Sequence, residues 1–100
     1  MKVRFSRLAL AKLDAILAYL AEVNPAAASQ VEARVRRVVE RIAPFPEGAP
    51  EIDKRPGIRS VPLIRYPYVI HYAVNRGEVV IFRILCMELG AVLGNDRSFD

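Results

Sequence analysis

Two apolar stripes of helical period lie in the first half of the chain, and Asn24-Pro25 stands between them. Asparagine is a favoured N-cap residue and proline suits the first helical position, so one helix ends and another begins at this point. Two helices joined so briefly pack as an antiparallel hairpin. The two stripes consist of Leu13, Ile16, Leu17 and Leu20, and of Val31, Val35, Val38, Val39 and Ile42.

Alternating, strand-like runs flank the predicted hairpin of helices. Val3 and Phe5 predict a short first strand, and Ser6 is placed to cap the first helix. After a loop of about thirteen residues rich in Pro and Gly, three more runs cover residues 58–64, 68–74 and 79–85. Pro62 lacks a backbone donor, which predicts an edge or a bulge. The predicted fold is α+β, in the order β-α-α-β-β-β, with the helical hairpin on one face of a small antiparallel sheet. We predict one domain over residues 1–100, with a core at about 2–85 and a tail at 86–100.

The last two runs predict a hairpin through Asn75-Arg76-Gly77. A three-residue loop directs one set of side chains toward the helices and a second set outward, although a slip of one residue exchanges the faces. The outward set is more apolar than a solvated face, as is typical of a partner surface. The inward set is Tyr68, Ile70, Tyr72, Val80, Phe82 and Ile84; the outward set is Val69, His71, Ala73, Val79, Ile81, Arg83 and Leu85.

The composition limits the classes of function. The net charge is +4 and 12 of the 15 basic residues are arginine, which suits carboxylate or phosphate and so either an acidic protein or nucleic acid. Cys86 is the only cysteine, so no internal disulfide or cysteine-rich zinc site forms and a reducing compartment fits. Lys12 and Asp14 interrupt the apolar run 8–20, so we expect neither export nor membrane insertion.

Each residue that could take part in catalysis or binding also has a structural interpretation. His71 could shuttle protons, but without a second His, Cys or nearby acid a packed strand residue is the better interpretation. Cys86 fits a spectator thiol better than a nucleophile. The tyrosines Tyr68 and Tyr72 could stack on bases, although their predicted face makes them core. A functional role and a structural role are equally compatible with the position of Arg83. A phosphate-binding role and a solvated helix face both remain open for Arg34, Arg36, Arg37 and Arg41.

Six segments, in this order and spacing, resemble the ParE branch of the ParE/RelE toxin superfamily over roughly residues 3 to 85. They are Val3-Arg4-Phe5-Ser6, Asn24-Pro25-Ala26-Ala27-Ala28, Phe45-Pro46-Glu47-Gly48, Arg55-Pro56-Gly57-Ile58-Arg59-Ser60, Tyr68-Val69-Ile70-His71-Tyr72 and Val79-Val80-Ile81-Phe82-Arg83-Ile84-Leu85.

The resemblance implies a cytoplasmic toxin of a type II toxin–antitoxin system, also described as a plasmid stabilisation protein. Its ParE branch inhibits DNA gyrase by contact, and an antitoxin with an acidic, amphipathic C-terminal segment neutralises it. We therefore expect a hetero-oligomer with antitoxin, no cofactor or metal, no membrane association and no direct binding of nucleic acid. We assign no catalytic residue. The expected target or antitoxin contacts are Arg59, Arg65, Val69, His71, Ile81, Arg83 and Leu85.

RelE-type nucleases cut mRNA on the ribosome with basic and tyrosine side chains, and the matching positions here are poorly suited to that chemistry. Val69 stands at the sheet arginine, Ser60 and Pro62 at two lysines, and Glu88 and Leu89 at a basic pair. The tail also lacks the His and basic stretch common in ParE-like chains. Two alternatives stay open: a RelE-type nuclease that substitutes Arg59, His71 and Arg83, and a detoxified module that only sequesters antitoxin.

Overall fold

The computed structural model of the chain describes residues 1–86. A strand, a helical hairpin and four further strands follow one another, and all five strands belong to one sheet. The elements are β1 (Lys2–Phe5), α1 (Arg7–Val23), α2 (Pro25–Ile42), β2 (Glu51–Ile52), β3 (Arg55–Pro62), β4 (Tyr68–Asn75) and β5 (Glu78–Cys86). The α+β class and the helical hairpin are confirmed.

The helix boundaries follow the predicted caps. The hydroxyl oxygen of Ser6 accepts a hydrogen bond of 3.1 Å from the backbone N–H of Ala9. Asn24 serves both helices: its N–H donates to the Leu20 carbonyl at 2.7 Å, and its side-chain oxygen accepts from the N–H of Ala27 at 3.2 Å. Pro25 then occupies the first turn of α2. One residue therefore stops α1 and starts α2, which forces the tight hairpin.

The sheet order is β1-β5-β4-β3-β2, and it corrects the prediction of an antiparallel sheet with four strands. β1 pairs with β5 in parallel, whereas the other pairs are antiparallel. The pairing of the first strand with the last spans almost the whole described chain, so no local pattern encodes its direction. The extra strand, β2, has only two residues and lies within the predicted loop. β3 also begins at Arg55, three residues before the predicted run.

The β4–β5 hairpin has a two-residue turn instead of the predicted three-residue loop. Arg76 and Gly77 both have positive φ, 54° and 81°, the combination that a type I′ turn requires. The register then shifts at a bulge: Tyr72 lies opposite Ile81, but His71 lies opposite Arg83. Phe82 is the extra residue in β5.

Because of this turn, four predicted side-chain directions are wrong. The turn exchanges the faces of Val79 and Val80 and of Ile81 and Phe82, so that Val79 and Ile81 point toward the helices. The bulge then restores the predicted faces of the residues that follow it in β5: Arg83, Ile84 and Leu85.

The core lies between the helical hairpin and the inner face of the sheet. Ile70, Tyr72 and Ile81 have no exposed surface, and Val31 of α2 is 1% exposed. The helical stripes predicted from sequence supply the other side: Ile16, Val35 and Ile42 are buried, and the remaining members pack partly buried against the core. Apolar burial of this kind contributes about 25 cal/mol per Å² of surface removed from water. The helices thus cover one face only, and neither helix within residues 1–86 packs on the opposite face of the sheet.

Candidate functional site: the outer sheet face and the arginine groove

The outer sheet face is the side of the sheet opposite the helices, and it consists of Ile58, Ser60, Val69, His71, Ala73, Val80, Phe82, Arg83 and Leu85. Three adjacent strands place Ser60, His71 and Arg83 in one row, because His71 pairs with Ser60 on β3 and with Arg83 on β5. The apolar members surround this row. Val69 is 7% exposed, and the other members are partly buried. The face therefore combines apolar surface with a single row of polar side chains, of which Arg83 carries the positive charge.

His71 lies in a positive environment. Burial lowers the pKa of His71 below its usual value, and the neighbouring Arg83 and Arg55 guanidinium groups lower it further. The carboxylate of Glu78 lies at the hairpin end of the same face, where it pairs with the Arg4 guanidinium at 2.6 Å. Among residues 1–86, no group of three or more His, Cys, Asp or Glu side chains is arranged to hold a metal ion. The row is thus suited to contact an anionic or polar group.

Four of the predicted contact residues, Val69, His71, Arg83 and Leu85, lie on the outer sheet face. Ile81 does not. It has no exposed surface and packs in the core with Tyr72, which lies opposite it on β4. The assignment of Ile81 to the outward surface is therefore wrong, because the turn is one residue shorter than predicted.

Arg59 projects from the inner face of the sheet, as its opposite neighbour Tyr72 does. Its guanidinium donates hydrogen bonds to two loop carbonyls, those of Ala49 at 2.5 Å and Glu47 at 3.2 Å. It also lies 3.7 Å from the carboxylate of Glu51. Arg59 therefore holds the loop between α2 and β3. It cannot join His71 in one site, because the sheet separates their side chains.

The tyrosines Tyr68 and Tyr72 are core residues, as predicted from their face. Burial raises the pKa of both phenols. The hydroxyl of Tyr72 donates a hydrogen bond of 2.6 Å to the Pro46 carbonyl, so Tyr72 and Arg59 together fix the loop. Cys86 is a free, half-buried thiol at the end of β5.

Arg65 lies on a second surface, which sequence reasoning did not identify. It sits in the turn after β3 with a φ of 79°. It borders a cleft of about 290 Å³ with the α2 residues Arg34 and Arg37. Within the described part of the chain this cleft continues along α2 past Arg41. We call this surface the arginine groove and define it by Arg34, Arg37, Val38, Arg41, Val61, Pro62 and Arg65.

The structure divides the four arginines of α2. Arg36 points away from the arginine groove and pairs at 3.7 Å with Glu32, which lies one helical turn earlier. Arg34, Arg37 and Arg41 share the other side of the helix, because spacings of three and four residues return to the same side. This spacing is the feature of the sequence that could have indicated a shared side for the three arginines. The sequence did not show that the edge of β3 lies beside it.

Comparison with known proteins identifies the family to which this arrangement belongs. Residues 3–88 match the family model described as ParE toxin of type II toxin-antitoxin system, parDE. The chain belongs to the ParE toxin family. The match covers both helices and every strand except for Lys2 at the start of β1. No helix within residues 1–86 is long and apolar enough to cross a membrane.

One relative and one solved structure support membership of the ParE family. A curated protein of Sinorhizobium fredii named "Putative toxin Y4kP" is 34% identical over 84 residues, which is 80% of this chain and 82% of the relative. A chain of the solved structure "Chromosomal ParDE TA system from P. aeruginosa" superimposes with a TM-score of 0.74 at 28% identity. That match covers 88% of this chain and 97% of the other. Residues 87–100, the greater part of the predicted tail, lie outside the described residues.

Proposed function

We propose that this chain is a cytoplasmic toxin that inhibits DNA gyrase by protein contact and is neutralised by a cognate antitoxin. The observation that carries the proposal is the outer sheet face, an apolar surface with one polar row that contains the cationic Arg83 and no catalytic partner for His71 among residues 1–86. Apolar patches with a few charged residues are typical of protein interfaces. The toxin then acts by binding its target, and it needs no cofactor.

The alternative, a RelE-type nuclease, requires Arg59, His71 and Arg83 to act on one phosphate. General acid–base catalysis needs groups within hydrogen-bond reach of the same reacting atoms. Arg59 is directed to the inner face and bound to the loop, whereas His71 and Arg83 lie on the outer face. This separation favours contact over cleavage.

An antitoxin is the second expected partner. The P. aeruginosa neighbour comes from a structure titled as a ParDE toxin–antitoxin system, and a comparable partner for this chain follows from membership of the same family. The chain has a net charge of +4, which complements an acidic antitoxin segment that folds on binding. The expected assembly is a hetero-oligomer.

Purified toxin tests the proposal in a gyrase supercoiling assay, with and without the antitoxin from the neighbouring gene. We expect supercoiling to fall as toxin is added and to recover with antitoxin. Unchanged supercoiling at saturating toxin would remove gyrase as the target. Primer extension on translating ribosomes forms the second arm, because codon-positioned cuts would establish the nuclease instead. If cells that express the chain without its antitoxin continue to grow, the chain is a detoxified module that only sequesters antitoxin.

A further inference from the structure

Within the described part of the chain, one side of α1 packs against neither the sheet nor α2. Ala9 and Ile16 of α1 are buried in the core, and Leu10, Leu13 and Leu17 line a cleft that α1 shares with α2. The remaining side of α1 is exposed, and its members recur at helical spacing. We call this surface the α1 stripe, and it consists of Leu8, Ala11, Lys12, Ala15, Tyr19, Glu22 and Val23.

The α1 stripe exposes large apolar side chains. Leu8 is 80% exposed, Tyr19 is 63% exposed and Val23 is 59% exposed. The solvated side of a helix in a globular protein normally carries polar and charged residues. A continuous row of exposed apolar side chains instead marks a contact with another molecule. The α1 stripe therefore has the composition of an interface.

The two charged members of the α1 stripe limit what that other molecule can be. Lys12 and Glu22 form no ion pair with any residue in the range 1–86. They are ten positions apart in the sequence, about 15 Å along the helix axis, which is too far for them to pair with each other. A surface that complements both must carry an acid at one end and a base at the other.

The α1 stripe is complementary to itself. Three pairs of its members are centred on the same point of the helix, at position 17: Lys12 and Glu22, Ala11 and Val23, and Ala15 and Tyr19. When two copies of α1 lie antiparallel around that point, the members of each pair face one another across the two helices, as a two-fold contact requires. Each base then faces an acid. Each large apolar side chain faces an alanine, so the two surfaces interdigitate.

We propose that the α1 stripe is a homodimer interface, in which α1 of one protomer packs antiparallel on α1 of a second copy. Lys12 then lies opposite the partner's Glu22, and Tyr19 lies opposite the partner's Ala15. The helix has 17 residues, about 25 Å of length, so the contact is smaller than a standard interface and the association is weak. Neither the outer sheet face nor the arginine groove takes part in this contact.

Sedimentation equilibrium of the full chain, without antitoxin, tests the proposal between about 10 µM and 1 mM protein. The measured mass should rise from that of one chain, 11.2 kDa, toward twice that value. Lys12→Glu and Glu22→Lys each place like charges at both ends of the interface, so each should raise the dimer Kd at least about tenfold. Glu40→Lys makes the same charge reversal at an exposed position of α2, and it should leave the Kd unchanged.

An equimolar mixture of the Lys12→Glu and Glu22→Lys variants separates the charge pairing from any effect on folding. In a dimer with one chain of each variant, opposite charges face one another at both ends. Mixing should therefore restore the association that each variant loses alone. A wild-type chain that stays monomeric at about 1 mM, single variants that dimerise as the wild type does, or a mixture that stays monomeric would overturn the proposal. These experiments contain no gyrase, so their failure is distinguishable from failure of the proposed function.

Discussion

Arg59 and His71 stand on neighbouring strands of one sheet, but their side chains leave it on opposite faces. Arg59 pairs in register with Tyr72, the residue after His71, and strand side chains alternate. Arg59 therefore reaches the loop carbonyls of Ala49 and Glu47, whereas His71 lies beside Arg83 on the outer sheet face. Arg59 therefore stabilises the fold, whereas Arg83 lies on the face that we propose for contact.

Arg59→Ala should lower the free energy of unfolding by about 1–3 kcal/mol, because hydrogen bonds to a charged donor are lost and two loop carbonyls lose their partner. The Arg59 side chain is only 21% exposed, so water replaces these bonds poorly. Arg36→Ala serves as the control, since the Arg36 side chain is 70% exposed, and its effect should stay within about 0.5 kcal/mol. Urea unfolding measures both, and equal effects would contradict the role given to Arg59.

Tyr72→Phe should cost about 0.5–1.5 kcal/mol of unfolding free energy through the lost hydrogen bond to the Pro46 carbonyl. The ring remains in the core, so the change reports on the hydroxyl alone. Tyr19→Phe removes a hydroxyl from a residue that is 63% exposed, and it should have little effect. Thermal unfolding of the two variants would decide, and a silent Tyr72→Phe would show that the loop needs no such anchor.

His71 is the only histidine, so its NMR titration is unambiguous. We expect a pKa below the ordinary value, because burial and the neighbouring Arg83 and Arg55 disfavour the imidazolium. Arg83→Gln should raise the pKa of His71 toward that value by removing one positive neighbour. Lys12→Gln, which removes a positive charge from α1, should leave it unchanged. A lower pKa in Arg83→Gln would contradict this electrostatic environment.

The same lowered pKa gives the His71 contribution to stability a defined pH dependence. The unfolded chain protonates His71 at the ordinary value, about 6.5, before the folded protein does. Stability therefore falls as the pH drops below that value and levels off below the folded pKa. His71→Gln should flatten the unfolding free energy across this window. A slope unchanged by His71→Gln would assign the pH dependence to other groups.

The β4–β5 turn makes a prediction about backbone conformation. Gly77→Ala should destabilise the protein by about 1–2 kcal/mol, because Gly77 has a φ of 81° and a Cβ disfavours the left-handed region. Arg76→Asn should stabilise it by about 0.5–1 kcal/mol, since asparagine adopts this region more readily. Denaturant midpoints check both, and opposite signs would contradict the two-residue turn.

The local elements could be predicted from the sequence because they depend on nearby residues. Ser6 and Asn24 cap the helices as predicted, and the apolar stripes face the core. The register of β4 and β5 could not be predicted, because it depends on Arg76 accepting positive φ and on a bulge at Phe82. A turn one residue shorter was enough to move Ile81 from the surface to the core.

The candidate site could likewise be predicted only in part from the sequence. The apolar outward face with His71 and Arg83 follows from strand alternation once the bulge has restored the register. The arginine groove depends on tertiary packing, which brings one side of α2 next to the β3 edge at Val61 and Pro62. No spacing within α2 encodes that neighbour, so the separation of Arg36 from Arg34 became visible only in the structure.

The dose dependence of gyrase inhibition tests most directly whether the chain acts by contact. Supercoiling is measured at several fixed gyrase concentrations while toxin is titrated. Inhibition by binding should saturate at a toxin concentration that rises with gyrase, and added antitoxin should reverse it. Arg83→Glu, on the outer sheet face, should shift the curve to higher toxin concentration. Inhibition that progresses to completion at toxin far below gyrase, and that antitoxin added afterwards does not reverse, would indicate catalytic damage and contradict the account.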